Sequence, residues 1–255
     1  MLNRLKDLSP TVTVELDRFT LTVPVSYAQK NLPTGIYEPL SSAWLRSVVR
    51  QGDTTLDVGA FAGYFTLLMA RAAGDTGHVV AVEPAPGNLV LLHANVHENG
   101  IANVEVVAGA CGRDGGRRTL FLSGWGSTNG FYGPSPPDLP VTGEVEVSVY
   151  RLDDLVAPPV HVAKIDVEGA EIEVLEGMER LLRDSPSIHL LVEWNPGLQQ
   201  RAGSDPWHLP RLLLDKGFVV VALQDQSGQS TPAAELLRGD LPPAGWWCNL
   251  ACTPT

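Results

Sequence analysis

Apolar positions along the chain switch between a period of two and a helical period, and the switches divide it into alternating strands and helices. Thr11 to Val25 alternates apolar and polar residues, as a half-buried strand pair does, and Pro24 closes it. Leu40 to Val49 has helical spacing, with Ser41 or Ser42 near its start, and leads through Gly52-Asp53 into the apolar run at Thr54–Val58. Phe65 to Ala73 is the next helix, ended by Gly74, and Leu89 to Glu98 is another, ended by Gly100. Apolar runs at Val79–Glu83, Val104–Val107, Val162–Asp166 and Ile188–Glu193 read as core strands, and Phe218–Leu223 and Trp247–Ala251 as late ones. Leu120-Phe121-Leu122 and Val145–Val149 form an extra antiparallel pair, and Trp207–Lys216 is a helix. A helix starting near Gly169 carries the stripe Ile172, Leu175, Met178 and Leu182. Strands alternating with helices predict an α/β fold with a mostly parallel sheet, right-handed crossovers and a site at the strand carboxyl ends. Residues 51–255 make the main domain and residues 1–50 an N-terminal extension or cap, one compact unit together.

Composition narrows the class. With 255 residues and 44% hydrophobic content, a single domain with a sizeable core is expected. The 18 basic residues against 29 acidic ones leave a net charge of −11, which repels nucleic acid, and Arg113 to Arg118 is too short a basic patch to reverse that. Met1 to Pro10 is charged without an apolar centre, so no signal peptide is expected. No apolar run approaches the length of a membrane span. Cys111, Cys248 and Cys252 are odd in number and form no CxxC pair, which reads as reduced thiols of a cytoplasmic protein.

The candidate chemistry begins at Leu56-Asp57-Val58-Gly59-Ala60-Phe61-Ala62-Gly63-Tyr64-Phe65. There an apolar run ends in an acid and a glycine turn, and a helix starts at once. A dinucleotide fingerprint places glycines where Phe61 and Tyr64 stand, so only Gly59 and Gly63 remain. Such a loop suits a ligand with no pyrophosphate to cradle, and disfavours a nicotinamide dehydrogenase. Glu83 ends the second strand, twenty residues past Gly63, and can accept both hydroxyls of a ribose. A ribose without phosphates points to S-adenosylmethionine. An ordinary strand-turn-helix with a glycine cap is the alternative.

Further blocks carry a resemblance. "GIYEP" at Gly35 to Pro39, "LDVGAFAGYFTLLMAR" at Leu56 to Arg71 and "VVAVEP" at Val79 to Pro84 resemble the FkbM family of S-adenosylmethionine-dependent methyltransferases. "LDDL" at Leu152 to Leu155, "KIDVEGAEIEVLEG" at Lys164 to Gly177 and "LLVEWNP" at Leu190 to Pro196 continue it in the family's order. The resemblance implies a Rossmann-like class I methyltransferase fold, its sheet seven-stranded with the last strand antiparallel and helices on both faces. It implies methylation of a hydroxyl on a small molecule, a sugar or secondary metabolite of natural-product biosynthesis. An amine acceptor and a non-catalytic S-adenosylmethionine-binding protein are the alternatives. It also makes Glu38, within the family's Tyr-Glu-Pro tripeptide, a cofactor or substrate contact.

Cofactor contacts are expected from Asp57, Gly59, Ala60, Phe61, Gly63, Tyr64 and Phe65 at the glycine loop, where backbone N–H groups and the helix dipole face a carboxylate. Glu83 and Pro84 take the ribose, and Ala110 and Cys111 flank the adenine. Acceptor chemistry is expected beyond the fourth and fifth core strands. Asp166 is the first candidate for a general base, with Glu193 beside it and His208 as an outside candidate. Asp166, Glu193 and Asn195 also form an oxygen set able to hold a divalent cation such as Mg2+, which would lower the pKa of a bound alcohol, or to hydrogen-bond a polyol without metal; Asp166 is thus a cofactor contact as well, and Asn195 a substrate contact. Glu168 reads either as a substrate contact or as a helix-dipole partner. The glycine- and proline-rich segment Ser123 to Gly143 reads either as a mobile surface loop or as a lid, with Trp125, Phe131 and Tyr132 closing over the acceptor and Tyr37 opposite. His93 and His97 lie four apart on a helix but lack a third ligand, and His189 reads as a core histidine. Trp246-Trp247 reads as core or homodimer surface.

Overall fold

The computed structural model describes residues 10–16, 18–32, 35–124, 126–133, 139–243 and 245–255. The alternating stretch at the N-terminus pairs as an antiparallel hairpin, β1 (Thr11–Glu15) and β2 (Thr20–Pro24). Helices α1 (Val25–Asn31) and α2 (Pro39–Val48) follow. The amino end of α2 is satisfied from far along the chain: the Asp225 carboxylate accepts from the Leu40 and Ser41 N–H groups and from Ser41 Oγ.

The core β-α units come next: β3 (Thr54–Val58), α3 (Tyr64–Ala73), β4 (His78–Glu83), α4 (Pro86–Glu98) and β5 (Val104–Ala108). Helix α4 begins three residues before the expected Leu89, because Pro86 occupies its first turn, where a missing N–H costs nothing. A side sheet follows, of β6 (Ala110–Cys111), β7 (Gly116–Ser123) and β8 (Val141–Tyr150), in the order β6-β8-β7. The expected antiparallel pair is β7 with β8, longer than predicted, so the glycine-rich connection shortens to residues 124–140. After α5 (Leu152–Leu155) come β9 (Val162–Ile165), α6 (Glu171–Glu176) and α7 (Glu179–Asp184). The single helix expected from Gly169 is therefore two. Asp153 explains the break: its carboxylate accepts from the Arg180 and Leu181 N–H groups, at 2.9 Å each, and starts α7 afresh. The chain closes with β10 (His189–Trp194), α8 (Pro196–Arg201), α9 (His208–Asp215), β11 (Phe218–Gln224), β12 (Gln229–Pro232), α10 (Ala233–Leu236) and β13 (Cys248–Pro254).

The main sheet has the order β12-β11-β13-β10-β9-β3-β4-β5. Strands β5, β4, β3, β9 and β10 are mutually parallel, and β13 inserts antiparallel between β10 and β11. Seven strands match the expected set; the eighth, β12, is an edge strand made by the chain turning back at Asp225–Gly228. The strand order reverses between β3 and β9, and a crevice opens there at the carboxyl ends. Alternation along the strands decides what faces it. Leu56, Val58, Ala163, Ile165, Leu190 and Val192 join the core against α6, α7 and α9. Asp57, Lys164, Leu191 and Glu193 hold the alternate positions, and Leu191 packs in the core that contains α3. That second core also takes Phe19, Leu21, Val23, Tyr27 and Leu45, so the N-terminal elements and the main domain share one apolar interior.

Candidate active site

A cavity of about 760 Å³ lies at the switch point between β3 and β9. The loop after β3 forms one wall. Gly59 has φ +86°, and a Cβ there would lie 1.8 Å from the Asp166 carbonyl oxygen, so the loop passes directly against the end of β9. Phe61 is also left-handed, at φ 50°, and its N–H donates to Glu83 Oε2 at 2.8 Å. Asp57, Gly59, Ala60, Phe61, Tyr64, Phe65, Glu83, Pro84, Ala110 and Cys111 all line the cavity, as expected of a cofactor wall. Gly63 does not. A Cβ on it would meet Leu92 Cδ1 at 2.6 Å, so this glycine lets α3 and α4 approach each other rather than a ligand approach the loop.

Asp57 Oδ2 accepts from Thr66 Oγ1 at 2.5 Å, while its Oδ1 is buried with no partner. Burial raises the Asp57 pKa, against the pull of Lys164 and the Thr66 hydrogen bond. An orphaned buried acceptor beside the glycine loop fits an ammonium group such as that of the methionine moiety. Glu83 is 4% exposed. Its Oε1 accepts from the Ala85 N–H at 2.9 Å and from Asn88 Nδ2 at 3.0 Å. Burial lifts its carboxyl to about 7, although these donors work the other way. The small residues Ala110 and Cys111 on β6 leave room for a flat ring, and burial pushes the Cys111 thiol up to about 12.

Acids dominate the opposite wall. Among the described residues, Asp166, Glu168 and Glu193 form the one group of three metal-ligating side chains, their carboxylate oxygens within 4.8 Å of one another. Asp166 Oδ2 is paired with Lys164 Nζ at 2.8 Å. Lys164 is 2% exposed and sits 4.8 Å from the centre of the Phe65 ring. Burial alone would lower its pKa, but Asp166, Asp57 and Glu38 outweigh that and raise it. Lys164 therefore stays charged as the counter-ion of three acids. Glu168 is left-handed, at φ 55°, held by Glu171: Oε1 of Glu171 accepts from the Val167 and Gly169 N–H groups on either side. Glu193 Oε2 is buried without a hydrogen-bond partner. The pKa values of Glu168 and Glu193 are both raised well above the usual range, first by burial and then by Asp166 and the neighbouring acids.

Several expected contacts lie elsewhere. Glu38 is buried but does not line the cavity; it precedes α2 and accepts from Asn249 Nδ2 at 2.8 Å. His208 is exposed at the start of α9, away from the cavity, because that helix packs on β11. Asn195 lines the cavity, yet its Oδ1 accepts from the Gly197 and Leu198 N–H groups as the cap of α8, so Glu168 takes its place in the acid cluster. Tyr132 turns to a neighbouring groove, donating from its hydroxyl to Glu173, whereas Phe131 and Tyr37 line the cavity. Trp125 lies outside the described residues. Trp246 packs on Trp194 at the core, while Trp247 lines the cavity. His189 is half-exposed beside Trp44 rather than in the core. Lys164, Asn88 and the loop residues Leu241, Pro242, Pro243 and Gly245 also line the cavity, without having been expected there. For Lys164 a signal existed, since it alternates with Asp166; nothing local marked the others.

Comparison with known proteins places the chain in a family. The sequence pattern described as the methyltransferase FkbM domain matches residues 57–220, from the glycine loop into β11. A protein-L-isoaspartate O-methyltransferase of Methanococcoides burtonii is 33% identical over 95 residues, 34% of this chain and 47% of its own length. Methyltransferase 1 of Beauveria bassiana is 29% identical over 146 residues, 49% of this chain and 57% of its own. The chain thus spans about half the length of these relatives. The crystal structure of an FkbM methyltransferase from Methylobacillus flagellatus shares the fold over 83% of this chain and 50% of its own, with a TM-score of 0.51 at 16% identity. No described helix is long and apolar enough to cross a membrane. With more than half of its length matched by one family pattern, the chain belongs to the FkbM family of S-adenosylmethionine-dependent methyltransferases.

Proposed function

We propose that the protein methylates a hydroxyl of a small molecule, a sugar or secondary metabolite, with Glu193 as general base. The observation that carries this reading is the unpartnered, buried Glu193 Oε2 in an acid-lined cavity that also holds the glycine loop. S-adenosylmethionine, when bound, supplies a methyl group already activated on a sulfonium. Asp57, the loop amides and Glu83 would hold it through its ammonium, carboxylate and ribose. The remaining need is to orient an alcohol and take its proton. A carboxylate with a raised pKa is the stronger base, and Glu193 meets that condition. Asp166 suits the role less well than its motif suggests, since Lys164 already occupies one of its oxygens. Lys164 joins Asp166 and the Phe65 ring, its Nζ 2.8 Å from the carboxylate and 4.8 Å from the ring centre.

Asp166, Glu168 and Glu193 also offer hard oxygen ligands to a divalent cation, magnesium in the first instance. An amine acceptor is the second reading, since its neutral form needs no general base and the same three carboxylates would draw in its protonated form. The net charge of −11 argues for a small molecule over nucleic acid and accords with a soluble cytoplasmic enzyme. The test is a panel of polyols, hydroxylated aromatics and amines incubated with methyl-labelled S-adenosylmethionine, with and without chelator. Label on oxygen in the chelated samples is expected; label confined to amines overturns the O-methyltransferase reading, and chelator-sensitive turnover makes the acid cluster a metal site. Glu83→Ala should weaken binding of S-adenosylhomocysteine by about 1.5–3 kcal/mol in calorimetry, the scale of hydrogen bonds to a charged group. Unchanged affinity would remove Glu83 from the ribose.

A further inference from the structure

Asn88, in the first turn of α4, is 7% exposed and lines the cavity. Its Nδ2 donates twice, to Glu83 Oε1 and to the Gly126 carbonyl oxygen, each at 3.0 Å. Both partners are acceptors, so the amide orientation is fixed by chemistry. The turn it holds, Gly126 to Phe131, lines the same cavity. Phe61 of the glycine loop completes the junction: its Cε2 lies 3.5 Å from where a Cβ on Gly126 would stand. One side-chain amide thus joins the carboxylate at the end of β4 to the connection between β7 and β8.

Counting lone pairs shows why that matters. A carboxylate offers about four acceptor positions. Three on Glu83 are filled, by the Ala85 and Phe61 N–H groups and by Asn88. A ribose diol brings two O–H donors, so one existing donor has to move. The two backbone donors are fixed by the β4–α4 junction and by the left-handed Phe61. Of the three donors, only the Asn88 amide sits on a side chain, which can turn about the bond it keeps to Gly126. We infer that Asn88 is a second ribose-recognition residue, yielding Glu83 Oε1 to a cofactor hydroxyl and donating the released N–H to that hydroxyl's oxygen. Its other N–H stays on the Gly126 carbonyl. Cofactor occupancy is thereby felt at the Gly126–Phe131 turn, and by reciprocity the position of that turn alters cofactor affinity.

The inference rests on Glu83 meeting the ribose, and its test separates the two. Asn88→Ala is expected to lower S-adenosylhomocysteine affinity roughly two- to tenfold, the span for one neutral hydrogen bond. It should also narrow the preference for S-adenosylhomocysteine over its 2′,3′-dideoxy counterpart, which a merely structural residue would leave intact. Saturating S-adenosylhomocysteine should slow chymotrypsin cleavage after Phe131 in the wild type and fail to do so in the variant. Asn88→Ser, whose donor is too short to span both partners, should behave like the alanine variant and serves if the latter does not fold. Unchanged affinity and an unchanged dideoxy preference overturn the ribose role, and equal protection of the turn overturns the coupling. Failure of the Glu83 reading shows instead as Glu83→Ala binding like the wild type.

Discussion

Glu193→Gln is expected to cut methyl transfer to a hydroxyl acceptor by roughly 10²–10⁴-fold, the span for a lost general base. S-adenosylhomocysteine affinity should stay within a few-fold, because Glu83 and Asp57, on the glycine-loop side of the cavity, are untouched. The amide keeps the shape of the side chain and its place in β10, where Glu193 pairs with Asn249. It removes a charge that burial and the nearby Asp166 and Glu168 already disfavour, so the variant should be no less stable than the wild type. The wild-type pH profile carries a second check. A base must be ionised to accept a proton, and the Glu193 pKa is raised above the ordinary carboxylate range. The rate should therefore climb with pH through a pKa well above that of a free carboxylate, and the climb should vanish in Glu193→Gln. Stability moves the other way. The folded state binds more protons than the unfolded one between the unfolded pKa and the raised folded values, about 7 for Glu83 and Glu171, so unfolding becomes easier as pH rises through that window. Opposite slopes for rate and stability are expected, the first from Glu193 and the second from buried acids that include Glu83 and Glu171. Full turnover by Glu193→Gln would return the base to Asp166 or Glu168, or indicate an amine acceptor that needs none.

The parallel sheet and the glycine-loop wall of the cavity were legible because both rest on local sequence. Apolar runs ending in Asp57 and Glu83, one helix apart, fix strand, turn and helix within thirty residues. The acceptor wall was half legible: Lys164, Asp166 and Glu193 follow from alternation on two strands, but pairing between side chains does not. Sequence makes Asp166 the first candidate for the base, and the fold adds Lys164 against it and Glu193 without a partner. Asn195 and His208 sit at the right end of the chain segment after β10, yet helix capping takes the first and the packing of α9 turns the second outward. Gly63 carries the right motif for a different reason, a close helix contact instead of ligand approach. Asn88 was invisible, since its meaning depends on a turn 38 residues further on.

Gly59→Ala is expected to abolish measurable cofactor binding and to lower stability by about 2–5 kcal/mol. Two costs add. The left-handed backbone at φ +86° disfavours any Cβ by roughly 1–2 kcal/mol. The new methyl would also stand 1.8 Å from the Asp166 carbonyl oxygen, a backbone atom that cannot swing aside, and overpacking of this kind costs typically about 1–3 kcal/mol. Relief requires the loop or the end of β9 to move. The loop is tied down, since the Gly59 and Ala60 N–H groups both donate to the Val82 carbonyl oxygen, at 2.9 and 3.1 Å. The end of β9 is tied too, through the Asp166 N–H to the Val58 carbonyl oxygen at 2.9 Å. Whichever gives way, the glycine loop and Asp166 separate, and the two walls of the site lose their register. Gly100→Ala is the control, because Gly100 is left-handed at φ +62° with nothing within 4 Å of a new Cβ. It should show the backbone cost alone and bind S-adenosylhomocysteine normally. A Gly59→Ala protein that melts with the Gly100→Ala protein and keeps its affinity would show that the loop need not touch β9, and would remove the close approach as the reason for this glycine.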